Sequence, residues 1–138
     1  MNKKPLVFVV DDDETIRYSL ERYLTKLGWD VKAIANGFEV LMLCLYLKPD
    51  LILSDIRMPK LDGISLLQGL KNNPATAQVP VIFMSAYASD EIMEQARNLG
   101  AQFFLIKPFA NDYLYQVIRR ALPHLLEFDP SQEEKENA

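Results

Sequence analysis

Apolar residues in this chain fall into short unbroken runs that alternate with longer stretches of helical spacing. Leu6–Val10 is a continuous valine-rich run, the pattern of a strand covered on both faces. Glu14–Leu27 places Ile16, Leu20, Tyr23, Leu24 and Leu27 on one helical stripe, and Gly28 follows as a stop. Val31–Ala35 predicts a second strand, Asn36-Gly37 a turn, and Phe38–Leu47 a second helix halted by Pro49. Leu51–Ser54 is the third strand, Ile64–Lys71 a helix, and Val81–Met84 the fourth strand. Ser89-Asp90 predicts the cap of a helix reaching Leu99, with Gly100 closing it. Phe103–Ile106 is the fifth strand, and Asn111 is expected to cap a last helix running at least to Leu122.

Five βα units in succession imply a mostly parallel sheet with helices on both faces, and right-handed crossovers restrict it to doubly wound forms. The 138 residues suit one domain, 1–128, followed by an acidic segment, 129–138, expected to be disordered. A hydrophobic fraction of 49% and a charged fraction of 25% are those of a soluble globular protein. The formal net charge of −4 argues against direct nucleic-acid binding, which needs a basic face. Cys44 is the single cysteine and forms no internal disulfide, which fits a reducing cytoplasm. No apolar run is long enough to insert into a membrane.

Two strands end abruptly in acids: Val10 is followed by Asp11 and Asp12, and Ser54 by Asp55. Strand interiors exclude carboxylates, so these acids belong at the sheet's rim, where such folds carry their function. Crowding three carboxylates is unfavourable unless a cation or a function compensates. Ser85 and Lys107 follow the fourth and fifth strands and fall on the same rim. Taken singly each has a bland reading as a turn or surface residue; their coincidence points to a site.

The strings Val9-Val10-Asp11-Asp12-Asp13, Asp55-Ile56-Arg57-Met58-Pro59 with Asp62-Gly63, Met84-Ser85-Ala86, and Lys107-Pro108-Phe109 resemble, in order and spacing, the receiver domain of two-component response regulators, over roughly residues 5 to 122. The resemblance implies a flavodoxin-like sheet of strand order 2-1-3-4-5. It implies that Asp55 accepts a phosphoryl group from a sensor histidine kinase or phosphotransfer protein. It further implies Mg²⁺ held by Asp11, Asp12, Asp55 and the backbone carbonyl of Arg57, with Lys107 and Ser85 contacting phosphate oxygens. Ser85 and Phe104, the aromatic three residues before Lys107, would be the switch. Arg57 and Tyr87 would bear on the lifetime of the phosphoryl group. The chain would catalyse only its own phosphorylation and dephosphorylation, and signal as a stand-alone regulator or relay carrier through a downstream protein.

Two rivals stand beside this reading. A magnesium-dependent aspartyl-phosphate phosphatase usually places an acid two residues after its nucleophile, where this chain has Arg57. A phosphorylation-independent binding module would have no need of the acids, Ser85 and Lys107. His124, the only histidine, is expected on the surface, and Asp13 and Glu14 serve the start of a helix.

The second helix carries more apolar surface than one face can bury. Val40, Leu41, Cys44 and Leu47 suit the sheet side, which leaves Phe38, Met42, Leu45 and Tyr46 as a second stripe. Either a homodimer or other partner uses that stripe, or Leu125, Leu126 and Phe128 fold over a neighbouring surface to cover it.

Overall fold

The computed structural model describes residues 3–87, 89–101 and 103–131. Five strands, β1 (Leu6–Val10), β2 (Asp30–Ile34), β3 (Leu51–Asp55), β4 (Val81–Ser85) and β5 (Phe103–Ile106), form one parallel sheet of order β2-β1-β3-β4-β5. Between and after them run α1 (Glu14–Lys26), α2 (Gly37–Leu43), α3 (Gly63–Lys71), α4 (Asp90–Asn98) and α5 (Asn111–Ala121). The flavodoxin-like order expected from the sequence is the observed one.

Strand alternation divides the core into two layers. Phe8, Val10, Ile52 and Phe83 face α2, α3 and α4, where Val40, Leu66, Leu67, Leu70 and Ala96 meet them. Val7, Val9, Leu51, Leu53, Ile82, Met84 and Leu105 face α1 and α5, packing on Leu20, Leu24, Leu114 and Ile118. Because both faces are covered, β1, β3 and β4 read as unbroken apolar runs.

Several boundaries depart from the sequence reading. The α2 helix ends at Leu43, four residues early; Leu45 N–H and Tyr46 N–H bond back three residues to Met42 and Leu43, tightening the end into turns. Asn111 is the first residue of α5, not its cap: Ala110 holds the cap position and offers no side-chain bond. The α5 helix stops at Ala121 because Leu122 precedes Pro123, which disfavours the helical conformation there.

Beyond Leu122 a 3₁₀ segment, Pro123–Glu127, turns back onto α5. Leu125 is buried there, and Leu126 and Phe128 pack with it against the α1/α5 layer that includes Trp29. Pro130 then lies against Gly28, whose φ of +89° and lack of a Cβ admit it: an added Cβ would meet Pro130 Cγ at 2.5 Å. This segment therefore sits on the side of the sheet opposite α2 and does not cover it. Phe38, Met42, Leu45 and Tyr46 remain exposed, at 52%, 62%, 66% and 83%. Of the acidic segment assigned to 129–138, residues 132–138 lie outside the described residues.

Candidate active site

Parallel pairing places the candidate residues together. Val10 pairs with Ser54, so Asp11, next in β1's direction, stands beside Asp55 at the end of β3. Ser85 pairs with Ile106, and the Lys107 N–H donates to the Ser85 carbonyl at 2.8 Å, bringing the fifth strand's lysine to the same rim. Carboxylate oxygens of Asp11, Asp12 and Asp55 converge within 4.8 Å.

Each acid is held differently. Asp11 is fully buried; its Oδ1 accepts from the Asp13 N–H at 3.0 Å and its Oδ2 from Lys107 Nζ at 2.6 Å. Asp55 is nearly buried, accepting from Lys107 Nζ at 3.1 Å through Oδ2 and from the Arg57 N–H at 3.3 Å through Oδ1. Asp12 is exposed and lines a cleft of about 710 Å³ with Ile56, Arg57, Met58, Pro59 and Asp62. Asp13 is not part of the cluster: it caps α1, accepting from the N–H groups of Thr15 and Ile16.

Charge follows from this placement. Burial pushes the Asp55 carboxyl above the ordinary carboxylate range, outweighing the opposing pull of Lys107. Burial also works to lower the Lys107 pKa, yet its bonds to Asp11 and Asp55 prevail and hold it above the ordinary lysine value. The ammonium thus stays charged, and three acids balanced by one lysine leave the rim anionic. That oxygen-rich, anionic donor set fits Mg²⁺, which takes oxygen ligands and retains waters.

The ammonium's contact with Asp11 as well as Asp55 was not readable beforehand. Ser85 is buried but does not reach the acids: its hydroxyl donates to the Tyr87 carbonyl at 2.6 Å and accepts from the Tyr87 N–H at 3.1 Å. The Arg57 side chain is exposed and lies over the Tyr87 ring, 5.7 Å from its centroid. Phe104 is half-buried, stacked on Phe83 at 6.2 Å and covered by Arg97 at 5.5 Å. A cavity of about 200 Å³ lies between it and Ser85, Ala86 and Tyr87. His124 is exposed, on the 3₁₀ segment and away from the rim.

Sequence reasoning missed two contributors. Gly63 opens α3 directly against the end of β3: an added Cβ would meet the Asp55 carbonyl oxygen at 2.5 Å and Ile56 Cα at 2.9 Å. Arg17 on α1 donates Nη1 to the Asp11 carbonyl at 2.7 Å. Gly63 was readable only as part of the Asp62-Gly63 string, and Arg17 only as a basic residue near a helix start.

An acid-rich rim on a doubly wound sheet, with a lysine paired to two of its acids, is the arrangement implied by the receiver-domain resemblance. The chain belongs to the response regulator receiver domain family, whose model matches residues 7–119. It is 39% identical over 125 residues to the DNA-binding transcriptional regulator NtrC of Escherichia coli K12, covering 91% of this chain and 26% of that protein, so it spans about a quarter of this relative's length. It is 35% identical over 125 residues to protein PilG of Pseudomonas aeruginosa, covering 89% of this chain and 91% of PilG. Among solved structures, it is similar to the receiver domain of sensor histidine kinase PA1611 from the same species, determined with a magnesium ion in the active-site cleft. That match has a TM-score of 0.77 at 27% identity, covering 86% of this chain and 97% of that one. Among the described residues no helix is long and apolar enough to cross a membrane.

Proposed function

We propose that Asp55 is the phosphoacceptor of this receiver domain and that Asp11, Asp12 and Asp55, with the Arg57 carbonyl, hold Mg²⁺. The observation that carries this reading is the convergence of the three carboxylates at the ends of β1 and β3, two of them, Asp11 and Asp55, bonded to the Lys107 ammonium that follows β5. Asp55 attacks the phosphorus of a phosphohistidine on a sensor kinase or phosphotransfer protein. A P–O bond to Asp55 forms as the donor's P–N bond breaks, the electron pair staying on the imidazole nitrogen. When bound, Mg²⁺ neutralises charge between the carboxylates and the incoming phosphoryl oxygens. The protein supplies position and electrostatics more than covalent chemistry.

Lys107 then exchanges its carboxylate partners for a phosphoryl oxygen, as a flexible point cation can. Ser85 leaves the Tyr87 backbone to donate to another. The loop carrying Tyr87 moves with it, and the space beside Phe104 gives that ring an inward position. The protein then signals by contact with a downstream protein. The exposed apolar residues Phe38 and Met42 of α2, with Leu45 and Tyr46 in the turns that follow it, serve as a separate contact surface, either between two copies or for a constitutive partner.

Intact-mass spectrometry after treatment with acetyl phosphate tests the proposal. One phosphoryl adduct should form with Mg²⁺ and none after chelation. Equal labelling under both conditions contradicts the metal assignment, and turnover of unrelated phosphoesters would favour a phosphatase.

A further inference from the structure

The sequence places an arginine at a position that α1 itself disfavours. Asp13 caps the helix and Glu14 is its first residue, so Arg17 lies near the end of the helix where backbone N–H groups gather and a cation is unfavourable. Its side chain is half-buried nonetheless, and its Nη1 donates to the Asp11 carbonyl at 2.7 Å. Asp11 is thereby held at three points: its carbonyl by Arg17, Oδ1 by the Asp13 N–H, and Oδ2 by Lys107.

We propose that Arg17 is the positioning residue of the acidic centre: it pins the backbone that carries Asp11 and Asp12 so that both carboxylates stay in place for the metal. The inference rests on the metal reading of those acids and goes beyond it by dividing the work between two cations. Lys107 must release Asp11 to reach a phosphoryl oxygen. Arg17 bonds the backbone, not a carboxylate, and among the described residues it forms no ion pair, so it is the tether that stays. Groups that orient metal ligands from outside the ligand set commonly matter as much as this, changing metal affinity by roughly 10- to 100-fold when removed.

Positioning and charge predict opposite signs, which makes the idea testable. Removing a cation beside three carboxylates would, by electrostatics alone, strengthen Mg²⁺ binding. Removing a tether weakens it. Arg17→Met keeps the stem and a good helix former but deletes donor and charge; Arg17→Lys keeps the charge and a donor. The experiment is a Mg²⁺ titration followed by thermal unfolding, with amide hydrogen exchange at Asp13 measured in EDTA. Arg17→Met should bind Mg²⁺ roughly tenfold more weakly and exchange Asp13 faster without metal. Arg17→Lys should recover most of both. Unchanged or tighter Mg²⁺ binding in Arg17→Met, or no recovery in Arg17→Lys, overturns the proposal. If the Met variant does not fold, Arg17→Gln carries the same comparison. Asp12→Ala is the control: if it keeps the full Mg²⁺ response the metal reading itself falls, whereas indifference confined to the Arg17 variants removes only the positioning role.

Discussion

Gly63→Ala is the substitution whose consequence follows most directly from geometry. Gly63 is the first residue of α3, and its N–H donates to the Ile56 carbonyl at 2.7 Å, so helix and strand end are drawn tightly together. A methyl group there would stand 2.5 Å from the Asp55 carbonyl oxygen and 2.9 Å from both Ile56 Cα and Phe83 Cε1. Two of these neighbours are backbone, so relief requires the end of β3 to move by several tenths of an ångström. Alanine favours a helix over glycine by up to about 1 kcal/mol, but forcing volume into a packed site costs about 1–3 kcal/mol. The clash falls on backbone, so we take a net loss of about 1–2 kcal/mol, which lowers the melting midpoint by about 3–8 °C in a domain of this size. The displaced backbone carries Asp55 itself, so acetyl phosphate labelling should slow by about 3- to 10-fold. Differential scanning calorimetry and a labelling time course measure both effects. A variant that melts at or above the wild-type midpoint would refute the packing argument.

Other outcomes follow from the same structure. Because the folded protein binds a proton at Asp55 more tightly than the unfolded chain does, ionised Asp55 weakens the fold at neutral pH; that penalty fades as pH falls through the raised native-state value and is gone below the ordinary aspartate value of about 3.9. Asp55→Asn should therefore melt higher than wild type at pH 7, with the gap closing toward pH 3; a constant gap across a pH series contradicts the shift. Lys107→Ala leaves buried Asp11 without its ammonium, so it should melt lower in EDTA and recover part of the difference in Mg²⁺. The same variant should still label, slowly, while its partner binding loses phosphate dependence; fully phosphate-dependent binding would sink that role. Met42→Glu on α2 and Leu45→Lys just beyond it should abolish self-association or partner capture through this apolar patch without lowering the melting midpoint, as sedimentation at micromolar concentration can measure; a monomeric wild type removes the dimer.

The alternation of elements was legible because strands buried on both faces must be continuous runs, and helices between them need only one stripe. The acids stood out for the same reason: Asp11 and Asp55 interrupt runs that otherwise exclude charge. What tertiary contact decides was hidden. Lys107 and Asp11 are 96 residues apart, and only the sheet order brings them within bonding distance. The Arg17 bond depends on where a long side chain points, which spacing does not specify. The exposed stripe of α2 was visible as apolar residues in excess of one face. Its possible cover was not placeable, because Leu125 and Phe128 satisfy any apolar surface in reach, and the direction of the chain after Pro123 selects the α1/α5 side.

The central claim is that the carboxylate of Asp55 takes the phosphoryl group. Peptide mapping of acetyl phosphate-treated protein, after trapping the acyl phosphate by borohydride reduction, tests it directly in wild type and in Asp55→Asn. The account predicts modification at Asp55 alone in wild type and no adduct in a folded Asp55→Asn variant. Modification at Asp11 or Asp12 in wild type, or undiminished labelling of Asp55→Asn, would contradict it.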